Sequence, residues 1–156
     1  MAWVGAVIYK IEKGELFFLV QDSQSLDEKY AGNGIQTKFP GGSNDDHPDE
    51  KETLVTLRRE LEEETWLHLK AESEPRIIYG PNPEEKYPRI FYLLSIEAFE
   101  GELRDSDIID GEDLLHPPRW VKAEDLENDR SLLFETHQAI PFAALHYLSR
   151  YLSLVE

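Results

Sequence analysis

The apolar positions fall into two kinds of repeat. Residues 3–9 (WVGAVIY) are rich in β-branched and aromatic side chains and predict a strand. Glu12-Lys13-Gly14-Glu15 supplies turn chemistry, and residues 16–21 predict the returning strand of a hairpin. The polar stretch 22–33 predicts a loop. Residues 36–39 predict a short extended piece ended by Pro40-Gly41-Gly42, and residues 43–48 a second polar loop. A helical period then begins: Leu54, Leu57 and Leu61 recur at the spacing of one buried helix face. Pro48 stops the preceding extension, and Asp49 with Glu52 three residues later is placed as a capping box. Further on, the pattern predicts a strand at 68–71 or at 76–79 and another over 89–98 (RIFYLLSIEA). Pro117-Pro118-Arg119-Trp120-Val121 opens a short strand, and residues 123–128 predict a small helix. Residues 140–154 predict a terminal helix, with Pro141 in its first turn and Leu145, Leu148 and Leu152 as its apolar stripe. Strands before and between two helices give an α/β fold, a mixed β-sheet sandwiched by helices, expected as one domain over 1–156.

Composition narrows the chemistry. The chain has no cysteine, which removes disulfides, thiolate metal sites and cysteine nucleophiles. Its longest apolar runs, such as residues 2–9, are far shorter than a membrane span. No basic region or cleavage pattern marks a signal peptide, so a soluble cytoplasmic protein is the expectation. Lysine and arginine total 16 against 32 acidic residues, a net charge of −16. Such a surface repels nucleic-acid backbones and anionic membranes, so neither duplex nucleic acid nor a membrane is an expected partner. An anionic small substrate stays compatible with this charge if a bound divalent cation offsets the local field.

The acids are clustered as well as numerous. At about 100° per residue, Glu60, Glu63 and Glu64 share roughly a 100° arc that adjoins the leucine stripe, with the small Thr56 on the same arc. Glu62 points elsewhere, as a solvated residue would. Like charges at these spacings repel, and near a helix C-terminus they also oppose the helix dipole. The arrangement therefore destabilises the helix unless a cation sits among the oxygens. Oxygen donors without Cys or His favour Mg²⁺, Mn²⁺ or Ca²⁺. The plain alternative is a solvated acidic helix face with no ion. Gly41-Gly42, after a short strand and before the loop that leads to this helix, lets backbone approach a ligand closely.

With these residues in place, the stretch from Phe39 to Leu67 resembles the Nudix box, G-x5-E-x7-R-E-U-x-E-E-x-G-U with U aliphatic. Arg59-Glu60-Leu61-Glu62-Glu63-Glu64 matches its R-E-U-x-E-E core, Leu67 its last aliphatic position, and Phe39-Pro40-Gly41-Gly42 its usual lead-in. The N-terminal hairpin, the Arg119-Trp120-Val121 strand followed by Ala123-Glu124-Asp125-Leu126, and the terminal helix are similarly placed in that family. The chain departs from the box at three points. The interval from Gly42 to Arg59 is three residues longer than the pattern, the early glutamate position falls on Lys51 between Glu50 and Glu52, and the late glycine is Trp66. The first two leave open how Arg59 is held, with Glu50 or Glu52 as a substitute partner; the third suggests a different exit from the helix.

The resemblance implies a Nudix-type α/β/α sandwich and a Mg²⁺-dependent pyrophosphohydrolase, with Mn²⁺ able to serve, acting on a nucleoside diphosphate linked to another moiety. It implies Glu63 and Glu64 as main metal ligands, Glu60 as ligand or general base, and the Gly41 carbonyl as a completing ligand. Arg59 would orient the carboxylates, a role suited to an always-charged fork. The family often draws a further acid from a later loop; among Asp107, Asp110, Glu112 and Asp113 the first choice is Glu112, the alternative being a solvated loop. Lys38 and Gly42 are candidate phosphate contacts, and Tyr30, Phe91, Tyr92 and Trp120 are candidate stacking groups, with one of Phe91 and Tyr92 expected in the core. His47 and His116 read as ordinary loop histidines. The rival functions are a catalytically inactive nucleotide- or metal-binding module on the same fold, and an acidic interaction protein without a metal. Which nucleotide is bound, and whether the protein is a homodimer, stay open at the level of sequence.

Overall fold

In the computed structural model, residues 2–155 are described, with side chains described through Arg150; Leu152 of the expected apolar stripe lies outside the described side chains. In chain order the strands begin with β1 (Trp3–Glu12), β2 (Glu15–Ser25), β3 (Ile35–Lys38) and β4 (Gly41–Gly42), followed by helix α1 (Thr53–Thr65). Then come β5 (His68–Leu69), β6 (Arg76–Tyr79), β7 (Arg89–Ser95), β8 (Phe99–Glu100), β9 (Ile108–Asp110), β10 (Asp113–Leu115) and β11 (Arg119–Lys122). Helices α2 (Ala123–Asn128) and α3 (Ile140–Val155) follow. Both alternatives considered for the region after α1 are strands.

The sheet is mixed, as expected. β1 runs parallel to β7 and antiparallel to β2, and β6 extends the sheet beyond β7. β2 is the central trunk: its first half pairs with β11, and its second half pairs with β3 and β10. This is why β2 runs on to Ser25 through residues whose polarity suggests a loop; its far half has ladder partners on both sides while its side chains face water or a cleft. The β1–β2 turn places Lys13 and Gly14 at φ 52° and 79°, the positive values that a tight I′-type hairpin turn requires. β7 stops at Ser95, three residues short of the expected end, because the Ser95 hydroxyl accepts from Glu97 N–H and starts a 3₁₀ turn over Ile96–Ala98.

Strand alternation sends side chains into two separate cores. Val4, Ala6 and Ile8 of β1, with Ile90, Tyr92 and Leu94 of β7, pack on Leu57 and Leu61 of α1. Val7 of β1, with Phe91 and Leu93 of β7, packs on the opposite side with Leu126, Ile140, Ala144 and Leu148 of α2 and α3. Phe91 and Tyr92 are therefore both buried, one in each core, because both faces of the sheet are covered; neither is free to stack on a ligand. Trp120 packs against the first core with Lys10 Nζ 4.6 Å from its ring centre. Among the described residues no helix is long and apolar enough to cross a membrane.

Two local expectations change. The capping box does not form: Glu52, extended at φ −111° and ψ 138°, is the N-cap and makes no side-chain cap bond. Trp66 does not alter the helix exit. It takes the left-handed conformation itself, φ 68° and ψ 7°, with its N–H donating to the Glu62 carbonyl at 3.1 Å. For a residue with a Cβ this conformation costs about 1–2 kcal/mol.

Candidate active site

The C-terminal half of α1 presents its acids to a cleft of about 620 Å³ whose walls include Gly41, Gly42, Glu60, Glu63, Glu64 and Asp110. Three carboxylates converge there: Glu60, Glu64 and Asp110 each place an oxygen within 4.8 Å of the others. Glu60 and Glu64 are buried, at 6% and 3% exposure, because they lie on the flank of α1 that also carries Leu57 and Leu61. Two negative charges about 5 Å apart repel by roughly 3 kcal/mol at an effective dielectric of about 20. Burial pushes the Glu60 carboxyl above its ordinary range, against the opposing pull of Arg59. Burial, followed by the charge of Glu60, pushes Glu64 further up, although Gln21 and the Gly41 N–H both stabilise its anion. Hard oxygen donors, partly dehydrated and mutually repelling, are the donor set that a divalent cation fits.

Arg59 organises this cluster from behind. Its Nε and Nη2 hold Glu50 with both carboxylate oxygens, at 2.8 and 3.0 Å, while Nη1 donates to Glu60 at 2.9 Å and Glu63 at 3.3 Å. Nη2 also donates to the Ser43 carbonyl at 2.9 Å. Glu50, not Glu52, thus takes the place opened by Lys51. The longer loop makes this pairing: buried Asn44 donates to the Glu50 carbonyl at 2.8 Å and Thr56 Oγ1 to its carboxylate at 3.1 Å. The Arg59 hydrogen bonds hold the Glu50 carboxyl below its usual range.

The glycine pair acts by close approach. β4 lies against β1, pairing Gly42 with Val4 and Gly41 with Gly5. A Cβ on Gly42 would stand 2.3 Å from the Glu60 carboxyl carbon, and one on Gly41 would stand 2.2 Å from the Val4 carbonyl oxygen. The Gly41 N–H points at Glu64, 3.3 Å from Oε2.

Two organising residues escape sequence reasoning. Gln21 of β2 donates through Nε2 to Glu64 Oε2. Arg104, only 1% exposed, donates to the carbonyls of Glu64 (2.6 Å), Leu115 (3.2 Å) and His116 (2.9 Å), to that of Ser106, and to Gln21 Oε1 at 3.4 Å. Its guanidinium joins the end of α1 to the segment that carries β9 and β10. Asp110 ends β9 at the tight turn through Gly111, and Asp113 pairs with it across that turn. Gln21 carries a readable signal, a polar side chain at an inward position two residues after buried Leu19; Arg104 carries none.

The remaining candidates separate. Glu63 lies on the rim, its side chain 48% exposed, held by Arg59. Glu112 is exposed in the turn and lies outside the cleft wall; its backbone carbonyl accepts from Leu26 N–H at 2.6 Å, and Asp110 is the acid of this loop that joins the carboxylate cluster. Lys38 borders a passage shared with Glu64 and Asp110, and its Nζ sits 4.5 Å from the Phe134 ring centre. His47 lines the cleft, whereas His116 Nδ1 lies 3.1 Å from Asp107. Tyr30 is exposed beside a separate shallow pocket.

Comparison with known proteins agrees with this geometry. No curated protein matches the chain by sequence. The NUDIX domain profile matches residues 2–142. Similar solved structures include a MutT from a study of Aliivibrio salmonicida and Vibrio cholerae (TM-score 0.60, 21% identity, 93% of this chain and 97% of that one). The NUDIX domain of Shewanella oneidensis NrtR, solved with ADP ribose, gives a TM-score of 0.65 at 17% identity over 95% of this chain and 88% of that one. An Ap4A hydrolase of C. elegans gives 0.57 at 16% identity, covering 95% and 97%. At such identities these likenesses describe the fold. Given the profile match over residues 2–142, this chain belongs to the Nudix family, and its α/β architecture is that of the family's pyrophosphohydrolases.

Proposed function

We propose that this protein is a divalent-cation-dependent hydrolase, using Mg²⁺ with Mn²⁺ able to replace it, that cleaves a phosphoanhydride bond in a nucleoside diphosphate linked to another moiety. The observation that carries this reading is the convergence of Glu60, Glu64 and Asp110 oxygens within 4.8 Å beside a glycine-lined backbone. A bound divalent ion supplies charge neutralisation to the diphosphate and makes its bound water more acidic.

The chain's own groups do the rest. Glu60 and Glu64 would hold the ion, and Glu63 and the Gly41 carbonyl could add further oxygen ligands. Gln21 and the Gly41 N–H fix the Glu64 carboxylate, and Arg59 fixes Glu60 and Glu63, so that these oxygens are in place before substrate arrives. Asp110, the most exposed of the three converging carboxylates, takes the proton of the attacking water at Oδ and passes it to solvent, the role first considered for Glu112. The Arg59 donors are committed to Glu50, Glu60, Glu63 and Ser43, which suits orientation of carboxylates, not substrate contact. Gly42 leaves room for the Glu60 carboxylate, and Lys38 meets the phosphate chain as it leaves the cleft.

The test is a nucleotide panel assayed with Mg²⁺, in which phosphate and nucleoside monophosphate release are measured. Turnover of at least one member is expected. Asp110→Asn is expected to lower kcat by about 10²–10⁴, the range of a lost general base, while Glu112→Gln stays within about twofold. A panel without turnover, or Glu112→Gln matching Asp110→Asn, contradicts this assignment.

A further inference from the structure

Beside the acidic cleft lies a second pocket, about 490 Å³ in volume, lined by Trp3, Lys38, Lys86, Tyr87, Arg89 and Phe134 among others. Trp3 belongs to the walls of both, and Lys38 also lines the passage that contains Glu64 and Asp110. The two cavities are therefore neighbours, with Trp3 and Lys38 at their boundary.

Its chemistry is opposite to that of the cleft. Lys38 Nζ lies 4.5 Å from the Phe134 ring centre and Lys86 Nζ 5.5 Å from that of Tyr87. Among the described residues neither ammonium has a carboxylate within ion-pair distance, in a chain with twice as many acids as bases. Arg89 differs: it is committed to Glu85 and to the Tyr79 hydroxyl. His137 is neutral and adds no charge, since burial pushes its imidazole down to about 3. Tyr87 is 72% exposed, a large aromatic residue that only the Lys86 ammonium approaches among the described ring contacts. Ammonium groups without a carboxylate partner, set beside the exposed Tyr87 and the half-buried Phe134, match a ligand that is flat and aromatic at one end and multiply anionic along its length.

We infer that this pocket selects nucleoside polyphosphates: the base stacks on Tyr87 and Phe134, and phosphates beyond the scissile pair run past Lys86 and Lys38 to the acidic cleft. The pocket rests on the proposed hydrolase reading for its function and narrows its substrate. A neutral sugar as the second moiety would leave both ammonium groups without a counter-charge. A phosphate chain gives each of them one.

The experiment compares each of the four ribonucleoside triphosphates with the matching nucleoside diphosphate glucose, using the full chain with Mg²⁺. The measurements are kcat and KM, together with calorimetric binding of the methylene-bridged triphosphate analogues. The expected result is a kcat/KM at least tenfold higher for the triphosphate of at least one pair. Lys86→Ala and Tyr87→Ala should each raise its KM about tenfold with kcat within twofold, and weaken the analogue by the same factor. These variants lie on an exposed segment, and their circular dichroism and melting temperature should match the wild type. If the analogue binds and both variants weaken it tenfold while nothing is turned over, the pocket assignment stands and the hydrolase reading fails. If the glucose conjugates are cleaved as well as or better than the triphosphates, or KM is unmoved by either variant, the pocket assignment is overturned and the hydrolase reading stands. Absence of both binding and turnover overturns both.

Discussion

Glu64 is 3% exposed, faces Glu60 and Asp110, and has its carboxyl pushed well above the ordinary range by burial and by Glu60. Such a residue opposes folding of the metal-free chain. Glu64→Gln should therefore raise the metal-free melting temperature, by about 2–4 °C for each kcal/mol of repulsion relieved in a chain of this size. It should also lose turnover and the saturable rise in melting temperature that Mg²⁺ gives the wild type. Differential scanning calorimetry with and without Mg²⁺ reads both effects; a destabilised Glu64→Gln would show that the carboxylate is a structural anion. Gly42 is held by contact distance. Gly42→Ala places a methyl 2.3 Å from the Glu60 carboxyl carbon, so the carboxylate must move. A displacement near 1 Å in such a site lowers turnover about 10²-fold. The expected outcome is that loss in kcat with an unchanged far-UV circular dichroism spectrum.

At the level of elements, the site is one helix held against one hairpin, and Arg104 is the joint. Its guanidinium bonds the Glu64, Leu115 and His116 carbonyls, so Arg104→Ala strands buried acceptors at both elements. An unsatisfied buried polar group costs about 1–3 kcal/mol, so the urea midpoint should fall by the equivalent of roughly 3 kcal/mol or more. Arg104→Lys, which keeps the charge and loses the fork, should fall in between, with faster amide exchange confined to residues 105–116. Trp66→Gly should leave turnover unchanged and the melting temperature within about 3 °C, because left-handed strain is relieved while unfolded-chain entropy increases. Helix α1 and its acids are legible in the sequence because Leu54, Leu57 and Leu61 fix which flank is buried, and Glu60 and Glu64 follow from that by angle. The β9–β10 hairpin is not legible. Its strands are three residues each, too short for a period to show, and its acids at 107, 110, 112 and 113 look alike until the turn at Gly111 aims Asp110 inward. Glu50 and Arg59 meet only through a folded loop, so Glu50 and Glu52 read alike as partners of Arg59 in the sequence.

At the scale of the whole molecule, two cores flank one sheet, and the core opposite α1 contains a titratable group. His137 Nδ1 accepts the Phe39 N–H at 3.0 Å, and its ring stacks on Phe39 at 5.9 Å between centres, so it must be neutral. Burial holds its imidazole down to about 3, below the ordinary 6.5, and therefore the unfolded chain binds the proton first. Its contribution to stability is complete above pH 6.5 and is lost as pH falls toward 3, by about 1.4 kcal/mol per pH unit. Glu60 and Glu64 act with the opposite sign in the metal-free protein, so the informative quantity is the wild-type stability minus that of His137→Gln. This difference should shrink between pH 6.5 and 4.5, and a pH-independent difference would mean that the ring is solvated. The chain carries a net charge of −16, and its cleft gathers three carboxylates that could share a cation. The most direct measurement on that cleft is the anomalous difference density of a Mn²⁺-soaked crystal. A peak is expected between the Glu60 and Glu64 carboxylates, facing Asp110. A map with no peak there, or with manganese only on exposed acids elsewhere, would contradict this expectation.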